Sequence, residues 1–166
     1  MPSGLILLAT DSFTAVTSVS LNNVFSATYK QYKIVTNVSG SSAANVSFRL
    51  RASGTDNSST NYIRRYIVGT STSVVTARET GQTVWSGFGR AEVGAKTINI
   101  TEILNPFQST YTSAFTSFIP TPTGNLESLS AVFTSTVTTS YDGFTISPGF
   151  DATTFTGTVA VYGLVV

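Results

Sequence analysis

Apolar side chains recur at every second position along most of this chain. Val46, Phe48 and Leu50, for example, alternate with polar or charged residues that include Arg49 and Arg51. The same alternation recurs in residues 97–101, where Ile98 and Ile100 are the apolar members, and in 129–137 and 158–164. Successive side chains of a β-strand point to opposite faces, so this period predicts strands with one buried face.

Turn-forming sequences rich in Gly, Ser, Asn, Asp and Pro separate the alternating runs. The resulting pattern predicts eleven short strands, near residues 4–10, 14–20, 30–38, 44–53, 61–69, 72–79, 83–91, 95–101, 126–140, 142–147 and 156–165. Several short strands with regular turns are typical of a sandwich or barrel. We therefore expect an all-β fold, a single-domain antiparallel β-sandwich of jelly-roll-like type that spans residues 1–166. The last strand is apolar on both faces, which predicts a central or covered position.

Residues 104–122 are the hardest segment to place. Phe107, Tyr111, Phe115 and Phe118 stand there in a background of Ser and Thr. The spacing 111, 115, 118 fits one face of a helix, but a Thr-rich and aromatic-rich composition favours β-structure. We expect a loop or a pair of strands that lies over a hydrophobic surface.

The residue types present restrict the possible chemistry. The chain has neither His nor Cys, which excludes Ser-His-Asp and Cys-His catalytic groups and thiolate metal sites. Asp142 and Asp151 could be proposed as a glycosidase pair, but both stand in turn sequences. Asp56 is too isolated to indicate a calcium loop. We therefore expect no enzyme activity, no cofactor and no metal.

Charged residues are scarce, at 10% of the chain, whereas Ser and Thr together make up about three residues in ten. Average globular domains contain roughly 25% charged residues. Because the cores of protein interfaces are depleted in charge, this composition suits a subunit that packs against neighbours. The formal net charge of +1 gives no electrostatic reason to expect nucleic acid or an acidic membrane as partner.

Two further segments allow more than one interpretation. Residues Leu5 to Ala9 are apolar, but no basic residue precedes them, so we expect a first strand rather than a signal peptide. Trp85 is the only Trp and could join Tyr111 in a sugar-binding site, although burial in the core is the simpler interpretation. Gly87 and Gly89 flank Phe88 and favour a bulge or tight bend over a phosphate-binding loop.

Three motifs follow one another along the chain: a Phe-Ser-x-x-Tyr strand at Phe25–Tyr29, an Arg-Leu-Arg…Gly-Thr hairpin that begins at Arg49, and a closing Gly-Thr-x-x-x-Tyr-Gly strand at Gly157–Gly163. In this order they resemble a group of small β-rich structural proteins of tailed bacteriophages, especially marine and cyanobacterial phages. The resemblance spans nearly the whole chain, but its motifs mark strands and turns rather than a site. It implies jelly-roll or sandwich modules that decorate the capsid or belong to fibres, often as trimers.

The sequence therefore predicts a virion protein on the capsid surface. As a decoration, or cement, protein it would bind the major capsid protein and copies of itself, as a homotrimer. The expected contact residues are Leu5, Ile6, Leu7, Phe107, Tyr111, Phe115 and Phe118. The alternative is a tail- or head-fibre domain that binds a host receptor or glycan through Trp85 and Tyr111. A secreted lectin outside any virus is a third possibility.

Overall fold

The computed structural model describes residues 4–70, 72–118, 128–149 and 154–165, and in these ranges it contains strands and no helix. The strands are β1 (Gly4–Val16), β2 (Val19–Leu21), β3 (Gln31–Gly40), β4 (Ala44–Ala52), β5 (Thr55–Asp56), β6 (Tyr62–Gly69), β7 (Val74–Gln82), β8 (Trp85–Val93), β9 (Thr97–Leu104), β10 (Thr112–Phe118), β11 (Ser128–Ser135), β12 (Gly143–Pro148) and β13 (Phe155–Val165). The all-β class is confirmed.

The strands form two layers. Eight strands lie side by side in the larger layer, in the order β1-β13-β3-β9-β10-β11-β6-β7. The smaller layer has the order β2-β12-β4-β8, with β5 on the free end of β4. A two-residue parallel bridge between β3 and β8 joins the layers, whereas the other pairings are antiparallel. The sheet does not close on itself, so the arrangement is sandwich-like.

Aromatic side chains fill the space between the two layers. The ring of Phe48 on β4 stacks on the rings of Trp85, Phe88 and Phe144, with centroid distances of 5.6, 4.2 and 4.9 Å. Trp85 also meets Phe133 of the larger layer at 5.5 Å. All five side chains are at most 2% exposed. This cluster holds the layers together through apolar burial.

The expected bend at Gly87 is present. Its φ angle is +73°, which glycine adopts without the steric cost that other residues meet. The pairing of β4 with β8 shifts register between Val46 and Phe48. The bend lets Trp85 and Phe88, three positions apart, both enter the core instead of pointing to opposite faces.

Several expected boundaries are wrong for identifiable reasons. The run 4–10 and residues 14–16 of the second run belong to one strand, β1, because register shifts after Leu7 and Phe13 change the phase of the alternation without ending the strand. The end of the second run belongs to β2. The motif segment Phe25–Tyr29 is a turn rather than a strand, and the Tyr32 hydroxyl bonds to the backbone of Ser26 there. Residues 112–118 of the ambiguous segment form β10, while residues 119–127 lie outside the described residues, as does Asp151.

The last strand has the central position predicted for it. β13 pairs with β1 on one side and with β3 on the other. Val159 and Val161 are fully buried, and the opposite side chains Ala160 and Tyr162 are half-buried.

Candidate functional site

Strand β9 inverts the usual rule that apolar side chains point inward. Thr97, Asn99 and Thr101 are at most 2% exposed, whereas Ile98 and Ile100 are 57% and 45% exposed. Two members of this set, Asn99 and Thr101, hydrogen-bond to backbone groups of β8 that have no strand partner on that side. The two isoleucines therefore lie on the outer surface because the inner positions of β9 are needed for hydrogen bonding.

Asn99 makes the main connection between β9 and β8. Its Oδ1 accepts a hydrogen bond from the backbone N–H of Arg90 at 2.9 Å, and its Nδ2 donates to the carbonyl of Arg90 at 3.2 Å. The same Nδ2 lies 3.1 Å from the hydroxyl of Thr36. Buried backbone groups are costly to leave unpaired. The Asn99 amide therefore provides Arg90 with the two hydrogen bonds that a neighbouring strand would otherwise make.

A chain of two hydroxyls continues the same connection. Thr101 on β9 donates to the Thr116 hydroxyl on β10 at 2.9 Å, and Thr116 donates to the carbonyl of Phe88 at 3.0 Å. We call Thr36, Asn99, Thr101 and Thr116 the buried polar seam. It fixes which faces of β9 and β10 point outward.

The outward face of the larger layer extends across all eight strands. Side chains directly opposite each other on paired strands lie on the same face, so the register identifies complete rows. One row consists of Leu7, Tyr162, Lys33, Glu102, Phe115, Val132, Arg65 and Arg78. The next row consists of Thr10, Ala160, Val35, Ile100, Ser117, Ser130, Ile67 and Thr76. We call the surface that these rows cover the outer face.

Large apolar side chains are concentrated on the outer face. Those that are between 43% and 57% exposed are Leu5, Leu7, Ile67, Ile98, Ile100, Leu104, Phe115 and Val132. The acidic group in the first row, Glu102, is neutralised by Lys33 at 3.5 Å. An exposed apolar area of this kind, with little charge, is typical of an interaction surface.

Most of the residues predicted for contact are accessible. Leu5 and Leu7 lie on the outer face at its β1 edge, and Phe115 lies near its centre, four strands away. Ile6 is exposed at the same edge but belongs to the opposite face. Tyr111 is exposed just before β10.

Three predicted residues are placed differently. Phe118 is only 6% exposed, because its position on β10 alternates with Phe115 and points into the core. Phe107 is half-buried and packs against the core, and its carbonyl accepts a hydrogen bond from Ser140. Trp85 is fully buried and its Nε1 lies 3.4 Å from the carbonyl of Thr134, so its ring is inaccessible to a glycan on the surface.

A groove crosses the β6 and β7 end of the outer face. It has a volume of about 640 Å³, and the aliphatic parts of Ile67 and Val132 line it together with the hydroxyls of Thr76 and Ser130. Arg65 and Arg78 complete its lining. It is the most basic part of the two rows, since the remaining cation, Lys33, is paired.

Across the ranges that the structure describes, there is no group of three or more His, Cys, Asp or Glu side chains suited to hold a metal ion. The same ranges contain no helix with the length and hydrophobicity needed to span a bilayer. No protein-family model matches the chain. A search of the curated proteins likewise finds no match. The outer face is therefore the feature from which a function can be argued.

Proposed function

We propose that this chain is a non-enzymatic structural protein of a tailed-bacteriophage virion that decorates the outer capsid lattice. Its partners would be the major capsid protein and further copies of itself. The observation that carries the proposal is the outer face, where Phe115, Val132 and Ile100 stand exposed on neighbouring strands. The resemblance to phage structural proteins supplies the virion setting.

The size of the outer face suits a stable contact. The two rows described above are flanked by one row that contains Leu104 and one that contains Ile98. With strands about 4.8 Å apart and about 6.8 Å between alternate residues, eight strands and these four rows cover roughly 700 Å². One partner of a standard protein interface buries about 800 Å². Repetition of the contact around a symmetry axis of the capsid would raise the overall affinity through avidity.

Decoration is better supported than the fibre alternative. The glycan site expected in a fibre tip required Trp85 and Tyr111 together, but Trp85 belongs to the core and Tyr111 is exposed without it. The centre of the outer face, where apolar side chains surround the Lys33–Glu102 ion pair, favours a protein partner over a sugar, which needs convergent polar groups.

The number of copies in the virion tests the proposed location. Quantitative mass spectrometry of purified virions should find this chain in a fixed, near-stoichiometric proportion to the major capsid protein, because decoration follows the lattice. A count that is a small percentage of the capsid protein would support a fibre instead. Complete absence from virions would refute the proposal.

Ile100→Lys tests whether the outer face makes the contact. The substitution places a charge near the centre of the face, where burial would remove it from water, so binding to capsids assembled without this chain should weaken at least about tenfold. Val93→Lys is the matched control, because Val93 is similarly exposed at 54% but lies on β8, in the other layer. Both variants should keep the parent melting temperature within about 2 °C.

The comparison between the two variants decides the outcome. Sedimentation of capsids with bound protein gives both affinities directly. Equal binding by Ile100→Lys and Val93→Lys would show that the chain attaches through another surface.

A further inference from the structure

Arg65 and Arg78 lie directly opposite each other on β6 and β7, and both are exposed on the outer face. Opposed side chains on an antiparallel pair have Cβ atoms about 4.5–5.5 Å apart, and like charges at this distance destabilise the sheet. Among the described residues, neither guanidinium has a carboxylate within 4.0 Å or a side-chain hydrogen bond. The pair therefore carries an electrostatic cost within this chain.

Each of the other four arginines has at least one carboxylate or carbonyl partner within the protein. Three of them form ion pairs, namely Arg51 with Asp56, Arg64 with Glu79 and Arg90 with Glu92. The fourth, Arg49, donates to the carbonyl of Thr83 at 3.1 Å. Arg65 and Arg78 differ from the other arginines in this respect. The chain has only eight acidic residues to pair with its nine Lys and Arg residues.

The surroundings of the two arginines suit an anionic group that is attached to an apolar surface. Beside them the groove is lined by Ile67 and Val132, which are aliphatic, and by Thr76 and Ser130, whose hydroxyls can donate hydrogen bonds. A flat apolar partner that covers Ile67 and Val132 would exclude water from the groove. Ion pairs between guanidinium and carboxylate strengthen when water is excluded and both charges are hydrogen-bonded.

We propose that this groove receives an Asp or Glu side chain of the protein on which the outer face docks, held between Arg65 and Arg78. The inference rests on the proposed function, in which that protein is the major capsid protein, and it adds the chemistry that its docking surface must present. A guanidinium binds a carboxylate through two parallel N–H donors, so two opposed arginines can bind both carboxylate oxygens. The carboxylate also removes the repulsion between the two cations, which contributes to the affinity.

The test compares two double variants that remove the same net charge. Arg65→Thr/Arg78→Thr removes the pair with residues suited to strands, and Lys30→Thr/Lys96→Thr removes two exposed cations outside the groove. The arginine variant should bind unoccupied capsids at least about tenfold more weakly. The lysine variant should bind like the parent. Loss of affinity by both variants to the same degree would indicate general attraction and overturn the proposal.

The melting temperature and the salt dependence of capsid binding distinguish a role of the two arginines in binding the partner's carboxylate from a role in folding. The arginine variant should melt about 1–3 °C higher than the parent, because the like-charge repulsion is gone. Its capsid affinity should also depend less on salt between 50 and 300 mM NaCl, since screening no longer acts on the pair. A lower melting temperature with unchanged salt dependence would assign the arginines to folding and contradict the proposal.

The outcomes distinguish this inference from the proposed function. If the arginine variant binds capsids like the parent while Ile100→Lys does not, the carboxylate anchor is wrong and decoration through the outer face stands. If neither substitution affects binding, docking through the outer face fails as well. Binding of heparin that depends on Arg65 and Arg78, without any effect on capsid binding, would assign the groove to a sulfated glycan and overturn the proposal.

Discussion

Trp85→Ala should lower the free energy of unfolding by about 3–5 kcal/mol, the range found when large aromatic side chains are removed from well-packed cores. Trp85 is fully buried between the layers. Its ring stacks on Phe48 and meets the edge of Tyr62 at a centroid distance of 5.4 Å. Since whole domains are stable by only about 5–15 kcal/mol, the variant should lose much of its stability.

The substitution should destabilise both layers, because Trp85 contacts side chains of both. Phe133 contacts it from the larger layer, and Phe48 contacts it from the smaller one. The cavity left by the Trp85 side chain also removes a packing contact of Tyr62. The hydroxyl of Tyr62 donates to the carbonyl of Asn57 and accepts from the N–H of Leu50. Burial raises the pKa of this phenol above its ordinary value, which reflects how little water reaches the site.

Guanidinium unfolding followed by far-ultraviolet circular dichroism measures the effect, because the variant has no Trp to report by fluorescence. Tyr111→Ala is the control, since it removes an exposed aromatic residue and should change stability by less than about 0.5 kcal/mol. A Trp85→Ala protein that unfolds like the parent but no longer binds cells or glycans would contradict the core placement and restore the fibre interpretation.

The sequence predicted most of the fold because alternation is a local signal. In β4 and β11 the apolar side chains, among them Phe48 and Phe133, occupy the inward positions that the pattern indicated. The alternation could not show that β1 continues through its register shifts. It also could not show the pairing of β3 with β13 and β9, because these contacts join residues far apart in the sequence.

The candidate site was only partly predictable. Phe115, Leu5 and Leu7 were predicted as contact residues and lie on the outer face, whereas Ile67, Ile98, Ile100 and Val132 lie there without having been predicted. Isoleucines that alternate with Thr in a strand are normally interpreted as core residues. In β9 they point outward because the inward positions hold Asn99 and Thr101, which hydrogen-bond to the backbone of β8. The sequence did contain one signal, Gly87 and Gly89. Glycines in a strand mark a bend or a site where another group approaches the backbone closely, as Asn99 of β9 does here.

Asn99→Ala should lower the free energy of unfolding by about 2–4 kcal/mol, because each buried polar group left unpaired costs about 1–3 kcal/mol. The substitution removes the partners of both the N–H and the carbonyl of Arg90, and it also removes the donor to Thr36. Asn37→Ala is the matched control. Asn37 lies on the outer side of β3, and its Oδ1 has no hydrogen-bond partner among the described residues, so its removal should cost little.

A double-mutant cycle with Gly89 identifies the buried polar seam as the cause. A Cβ atom at Gly89 would stand 2.5 Å from Cγ of Asn99, closer than real contacts allow, so Gly89→Ala alone should destabilise the protein. In an Asn99→Ala background the obstructing amide is absent, and the same substitution should cost at least about 1 kcal/mol less. Additive effects, measured by urea unfolding, would mean that β8 does not lie against Asn99. The reason for the outward position of Ile98 and Ile100, and with it the origin of the outer face, would then be lost.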